Sequence, residues 1–213
     1  MSNPGADKLY YVRLPGGQGG RAEMVRLVYV LAGKAYVDVL APFAEAAAAI
    51  AGKNPFKQFP VIETADGKHV YQALAIMHHA AHGTPVWPGD PEALTRALSV
   101  AMGGYDLYQA FGGFAASDLV AKKRFEERHV PKFFAALNEI YGQTPFATGT
   151  TPTFADCIVH QSVAWCARRN EVARERLESS PQLMAFMKRF EALPLVRAFV
   201  DRQAAARALD DGI

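Results

Sequence analysis

The chain has 213 residues, half of them hydrophobic and 21% charged, with a formal net charge of +2. That composition suits a soluble globular protein with ample core, and it argues against disorder and against nucleic-acid binding, since no basic stripe interleaves with aromatics. No apolar run reaches the ~20 residues of a membrane span. Met1 to Lys8 has neither a basic flank nor an apolar core, so no signal peptide is expected. Cys157 and Cys166 stand nine apart on one expected helix, on roughly opposite faces. They make no disulfide framework, redox pair or metal set and read as buried free thiols. All this fits a reducing, cytoplasmic location.

Lys8 to Leu14 is a strand by β-propensity, with Leu9, Tyr11 and Arg13 on one face and Tyr10, Val12 and Leu14 on the other. Pro15 to Gly20 breaks it. Arg21 to Ala32 follows as a helix, with Met24, Leu27, Val28 and Leu31 on its apolar face and Gly33 just beyond its end. Tyr36 to Leu40 is a second strand, so the three elements form a βαβ unit with a parallel pair. Gly17-Gln18-Gly19-Gly20-Arg21-Ala22 also fits a dinucleotide fingerprint, with Asp38 at the distance of a ribose ligand. A doubly wound domain needs further strand–helix alternation, which this chain does not supply; a turning loop is the simpler reading. Pro42 to Gly52 is alanine-rich and suggests a short or irregular helix.

Phe59 to Glu63 is short, apolar and β-branched, and reads as a third strand. Ala65-Asp66-Gly67-Lys68 is a hairpin turn, and Val70-Tyr71 returns as a fourth strand. From Gln72 or Ala73 a helix carries Leu74, Ala75 and Ile76 and ends near His82-Gly83. Pro60 opens the third strand, where it cannot donate to the ladder. A cis Phe59-Pro60 bond, found in only ~5–6% of X–Pro pairs, would turn the Phe59 backbone groups toward a pocket.

Thr84 to Pro91 holds three prolines and a glycine and reads as a linker. It separates a first domain, 1–83, from an all-helical domain, 92–213. Long helices are expected over about 92–116 and 118–141, the second bent at Pro131. Tyr105, Tyr108, Phe111 and Phe114 recur on one face of the first, beside the pairs Gly103-Gly104 and Gly112-Gly113. Thr153-Phe154-Ala155-Asp156 is a capping box ahead of a buried central helix. Closing helices are expected over 181–193 and 195–209. His78 and His82 share a helix face, but no carboxylate or cysteine completes a metal set.

The proline, strand, hairpin and helix segment and the Thr153–Asp156 box together resemble the cytosolic glutathione transferases. The Arg21-Ala22-Glu23 helix start resembles their tyrosine-using branch, closest to the sigma class. The resemblance covers nearly the whole chain. It implies an α/β plus all-α architecture: a thioredoxin-like domain with a four-stranded mixed sheet, then an all-helical domain. It implies glutathione as co-substrate or cofactor and a homodimer that conjugates glutathione to a small hydrophobic electrophile, in detoxification, or serves as a glutathione-dependent isomerase. The alternative is a catalytically weakened member that binds or builds.

Site residues follow by position. Tyr11 matches the activating tyrosine. Phe59, before Pro60, matches the residue whose backbone pairs with the cysteinyl unit. Gln72, with Gln58 near its strand, matches the γ-glutamyl ligand, and Lys53 is the nearest cation for the glycyl carboxylate. Leu14, Tyr105, Tyr108 and Phe111 would line the second-substrate pocket. Asp106 is the closest candidate for a residue that reaches the partner subunit.

The chain departs from the family in three places. Ala73 replaces a serine whose charge-assisted bond is worth about 1.5–3 kcal/mol, roughly ten- to a hundred-fold in affinity. Ala47 and Ala51 stand where relatives place a Trp and a Lys. The loop after Tyr11 is longer.

Overall fold

A computed structural model describes residues 5–14, 19–112 and 117–210, with side chains as far as residue 203. It divides into two compact units. One comprises the residues up to Thr84 together with those from Pro194 onward; the other is Pro85–Leu193.

The first unit holds a sheet of four strands: β1 (Asp7–Val12), β2 (Tyr36–Ala41), β3 (Val61–Glu63) and β4 (His69–Tyr71). Their order is β2-β1-β3-β4. β1 and β2 are parallel, with Leu9 beside Asp38 and Tyr11 beside Leu40. The β1–β3 and β3–β4 pairs are antiparallel. This is the mixed, thioredoxin-like sheet expected from the sequence. The hairpin closes where Asp66-Gly67 demanded it: Thr64 and Lys68 pair across the turn and Gly67 takes φ +81°.

Three helices flank the sheet. α1 (Gly20–Leu31) ends before Gly33, which has φ +66°, the left-handed conformation a terminating glycine adopts. α2 (Phe43–Ala49) is short, and α3 (Ala73–Ala81) runs from the end of the hairpin. Strand alternation separates the two faces. Tyr10 and Val61 pack with Ile50, just past α2, and with Val39 and Ala49. On the opposite face, Arg26 of α1 bonds Asp38, the neighbour of Leu9.

The Arg26 side chain has no solvent exposure, yet it is fully engaged. Its Nε and Nη2 donate to Asp38 at 2.8 and 3.0 Å, and its Nη1 to Glu23 at 2.9 Å. Burial opposes the charge, but the hydrogen bond and charge of Asp38, then Glu23, more than offset it and push the pKa up. Asp38 is therefore a structural counter-ion here. That removes the ribose ligand on which the dinucleotide reading depended; much of its glycine loop, 15–18, lies outside the described residues.

On the other face Glu63 lies between Lys8 and Lys53, at 2.9 Å from each ammonium. Hydrogen bonds from Lys8 and then Lys53 hold its carboxyl down to about 2.

The second unit is helical: α4 (Pro91–Gly112), α5 (Leu119–Arg124), α6 (Val130–Gln143), α7 (Phe154–Arg169), α8 (Glu171–Glu178) and α9 (Pro181–Glu191). The expected extension of α4 to 116, with Gly113 and Phe114, lies outside the described residues. The second long helix is interrupted rather than merely bent. Phe125–His129 forms a π-helical segment, and Val130 N–H reaches back to Phe125 O. Pro131 supplies the reason, because it offers no N–H to the preceding turn and its ring crowds it. The α8 turn had no counterpart among the sequence expectations. α7 is the central helix, buried almost throughout, and it begins with the expected capping box. Asp156 accepts the Thr153 N–H at 2.7 Å, the Ala147 N–H at 2.8 Å and the Tyr141 hydroxyl at 3.1 Å. Cys157 and Cys166 are buried, and burial pushes the Cys166 thiol up to about 12.

The final helix, α10 (Pro194–Asp210), does not stay with the helices before it. It contacts α1 and groups with the first unit, with Val196 and Phe199 buried. The uninterrupted 92–213 domain read from the sequence thus differs from the observed division. Helical periodicity shows that a segment has an apolar face, but not what that face covers.

Two outcomes follow from these carboxylates. Asp156→Ala strips four donors, the Thr153 N–H and hydroxyl, the Ala147 N–H and the Tyr141 hydroxyl, of their acceptor and should cost about 3 kcal/mol or more in urea unfolding, whereas an ordinary surface substitution stays within ±0.5 kcal/mol. Glu63 is depressed in the folded state, so its stabilisation is present above its ordinary value near 4.5 and lost as pH falls through about 2. Glu63→Gln should therefore lower the melting temperature at pH 6 and leave it unchanged near pH 2. An equal loss at both would show that its charge is not what matters.

Candidate functional site

The site is built on the end of β1. Tyr11 is buried, and its hydroxyl oxygen accepts the Arg21 N–H at 3.1 Å. That N–H belongs to the first turn of α1, where amides lack intrahelical acceptors and the helix dipole is positive. A phenol oxygen held there is polarised, so its hydroxyl becomes a stronger donor in another direction. The Arg26 guanidinium lies 5.9 Å from the Tyr11 ring centre and adds positive potential. Gly20 takes φ +67°, and a Cβ there would collide with the Tyr11 hydroxyl. Glycine is required for two reasons at once, strain and space.

Phe59 meets the Tyr11 ring edge-on, 6.1 Å between centres. The Phe59-Pro60 bond is cis. β3 begins only at Val61, and among the described residues the Phe59 N–H and C=O have no hydrogen-bond partner. Together they offer one donor and one acceptor to an extended peptide beside the tyrosine. Gln72, the residue before α3, has φ +71°, an unusual conformation for a non-glycine residue. Strain of this kind gathers where a group must be aimed at a ligand. The Gln72 amide donates to the Gln58 side chain at 3.4 Å, so these two glutamines are brought together. No side chain caps α3. The amides of Ala73, Leu74 and Ala75 form a first turn suited to an anion. Ala73 is buried at that turn and contributes its backbone alone.

Lys53 is placed differently from the expectation. Its ammonium bonds Glu63 at 2.9 Å and the Tyr10 hydroxyl at 3.4 Å, and stands 4.5 Å over the Tyr10 ring. It lies on the face of the sheet opposite Tyr11, as the counter-ion of a strand carboxylate. The sequence spacing placed Lys53 near the proline strand but could not show that Glu63 would claim it. Lys57, which the sequence reading passed over, is exposed and has φ +53°. It borders a hollow of about 400 Å³ that is also lined by Ala47, Ile50, Ala51, Asn54 and Pro55.

Leu14, half-buried, is the neighbour of Gly20 on the first unit. In the second unit Tyr105 and Tyr108 lie 6.3 Å apart on α4. Phe111 packs against Phe125 at 5.0 Å. Asp106 is exposed on α4. Tyr108 also meets Trp165, at 5.9 Å, and the Arg169 guanidinium lies 3.4 Å over the Trp165 ring. The sequence reading gave this stretch only as a buried central helix. The half-exposed Trp165 ring lies four positions before the exposed Arg169, and the sequence carried no signal of that pairing. His78 and His82 meet edge-on at 4.9 Å and His79 bonds Asp7 at 2.9 Å. Among the described residues no three potential ligands converge on a metal.

Residues 105–203 match the family model described as the glutathione S-transferase C-terminal domain. The hematopoietic prostaglandin D synthase of Gallus gallus is 26% identical over 188 residues, which is 86% of this chain and 92% of that protein. The Pi-class glutathione S-transferase of Onchocerca volvulus superposes with a TM-score of 0.81 at 18% identity, covering 95% of each chain. A rat hPGDS complexed with a quinoline gives 0.79 at 20% identity, covering 93% of this chain and 97% of that one. A sheet with a cis proline, an all-helical unit, the matched helical domain and a relative aligned along most of both sequences agree: the chain has the fold of the glutathione S-transferases and is similar to that family, whose members use glutathione as substrate or cofactor.

Proposed function

We propose that this chain is a glutathione transferase that activates the glutathione thiol with Tyr11 and adds it to a small apolar electrophile. The observation that carries the proposal is the Tyr11 hydroxyl, polarised by the Arg21 N–H beside the unpaired backbone of Phe59. A free thiol has a pKa near ~8.5 and is mostly protonated at neutral pH. A hydrogen bond from Tyr11 to the sulfur favours the thiolate, and the α1 N-terminus favours negative charge in the same place. The thiol proton leaves to solvent. The sulfur lone pair then forms the S–C bond, with loss of a leaving group or addition across a double bond.

The tripeptide would lie along Phe59. Its cysteinyl unit would exchange hydrogen bonds with that backbone, and its γ-glutamyl carboxylate would sit at the α3 N-terminus beside Gln72. Ala73 offers an amide where a hydroxyl would strengthen this grip, so affinity for the tripeptide is expected in the weaker part of the micromolar to low-millimolar range. The similarity to a protein named prostaglandin D synthase supports a second outcome at the same centre, in which the thiolate adds, an isomerisation follows and glutathione is released unchanged. A cytoplasmic homodimer completes the reading.

Calorimetric titration with glutathione is the direct test, and no heat above dilution up to several millimolar would sink the proposal. Tyr11→Phe should cut kcat/KM about 10²–10³-fold while glutathione affinity changes little, because the lost donor acts on the developing thiolate. Gly20→Ala should also depress turnover by displacing the Tyr11 hydroxyl, and should cost about 1 kcal/mol or more in stability from its positive φ. Full activity in Gly20→Ala would mean that the Tyr11 position is not critical.

A further inference from the structure

The hollow beside the proposed thiol site is larger than the end of glutathione requires. At about 400 Å³ it falls within the range of small-ligand pockets. Its walls are apolar: Ala47 and Ala51, Ile50 and Pro55. Asn54 also lines it, but its side chain is already used, with Nδ2 donating to Gln58 O at 2.7 Å and Oδ1 accepting the Phe56 N–H at 2.9 Å. Lys57 is the cation among the lining residues, and Lys53 is held away by Glu63. Ile50 packs in the same cluster as Phe59, so the hollow adjoins the segment where the cysteinyl unit would pair. With the γ-glutamyl end at Gln72 and the cysteinyl unit at Phe59, the third residue of a bound peptide leaves toward this hollow.

We infer that the site accepts γ-glutamylcysteinyl peptides whose third residue is apolar and larger than glycine, its side chain in the Ala47–Ile50–Ala51 hollow and its carboxylate at Lys57. The inference rests on the thiol-site reading above and goes beyond it by naming a substrate class. Two alanines and a proline cannot grip a glycyl carboxylate. They can bury an isobutyl or benzyl group, and burying a leucine-sized side chain is worth about tenfold or more in affinity.

The test is calorimetric titration of the whole chain with γ-Glu-Cys-Gly and with γ-Glu-Cys-Leu. The leucyl peptide should bind about tenfold tighter. Ala47→Trp, at a half-buried position, and Ala51→Leu, at an exposed one, should each shrink the hollow and abolish the preference while leaving the glycyl peptide bound. Equal or weaker binding of the leucyl peptide to the unaltered chain overturns the inference and leaves the thiol site standing. A preference that survives both substitutions overturns it too, because the side chain then lies elsewhere. Binding of neither peptide overturns the thiol reading and this inference together.

Discussion

The buried contact between Arg26, Asp38 and Glu23 holds the first unit in register. A fully buried guanidinium is costly unless its donors are met, and here Asp38 takes two of them and Glu23 a third. Asp38 stands on β2 and Glu23 and Arg26 on α1, so the trio fixes the helix against the sheet. The position of the α1 N-terminus follows from it, and so does the Arg21 N–H that meets the Tyr11 hydroxyl. The chemistry proposed for Tyr11 depends on a charge pair that touches no substrate.

The site is uneven along its length. Around Tyr11 every feature converges: a polarised hydroxyl, a glycine with no room for a side chain, an unpaired backbone beside a cis proline. Toward the ends of the proposed tripeptide site the grip is thinner. Ala73 offers only an amide, Lys53 is spent on Glu63, and the far end opens into a hollow walled by alanines. Such a site places its interactions where charge develops and leaves little for uniform binding, an arrangement that favours turnover over tight ground-state affinity.

Much of this was legible in the residues. The strand alternation, the Asp66-Gly67 turn, Gly33 and the Thr153–Asp156 box are local signals, and each formed where its chemistry required. Tyr11, Phe59 and Gln72 were assigned through a resemblance to a family pattern of fixed spacing rather than from physics alone. What was hidden was long-range pairing. Nothing local shows that Glu63 lies between Lys8 and Lys53, that Asp38 answers Arg26, or that α10 packs on α1. The π-helical segment was half visible: Pro131 marked a disturbance, but whether the helix would bend or widen depends on how Phe125 and Val130 are packed.

The return of α10 to the first unit has a consequence for synthesis. Strands and helices as far as Thr84 leave the ribosome well before the helix that lies on α1. The helical unit between them, Pro85–Leu193, is contiguous and can close around α7 while the earlier segment still lacks its cover. The order of synthesis is thus the reverse of the order of completion. The part that carries the proposed thiol chemistry reaches its final form only after α10 has been made.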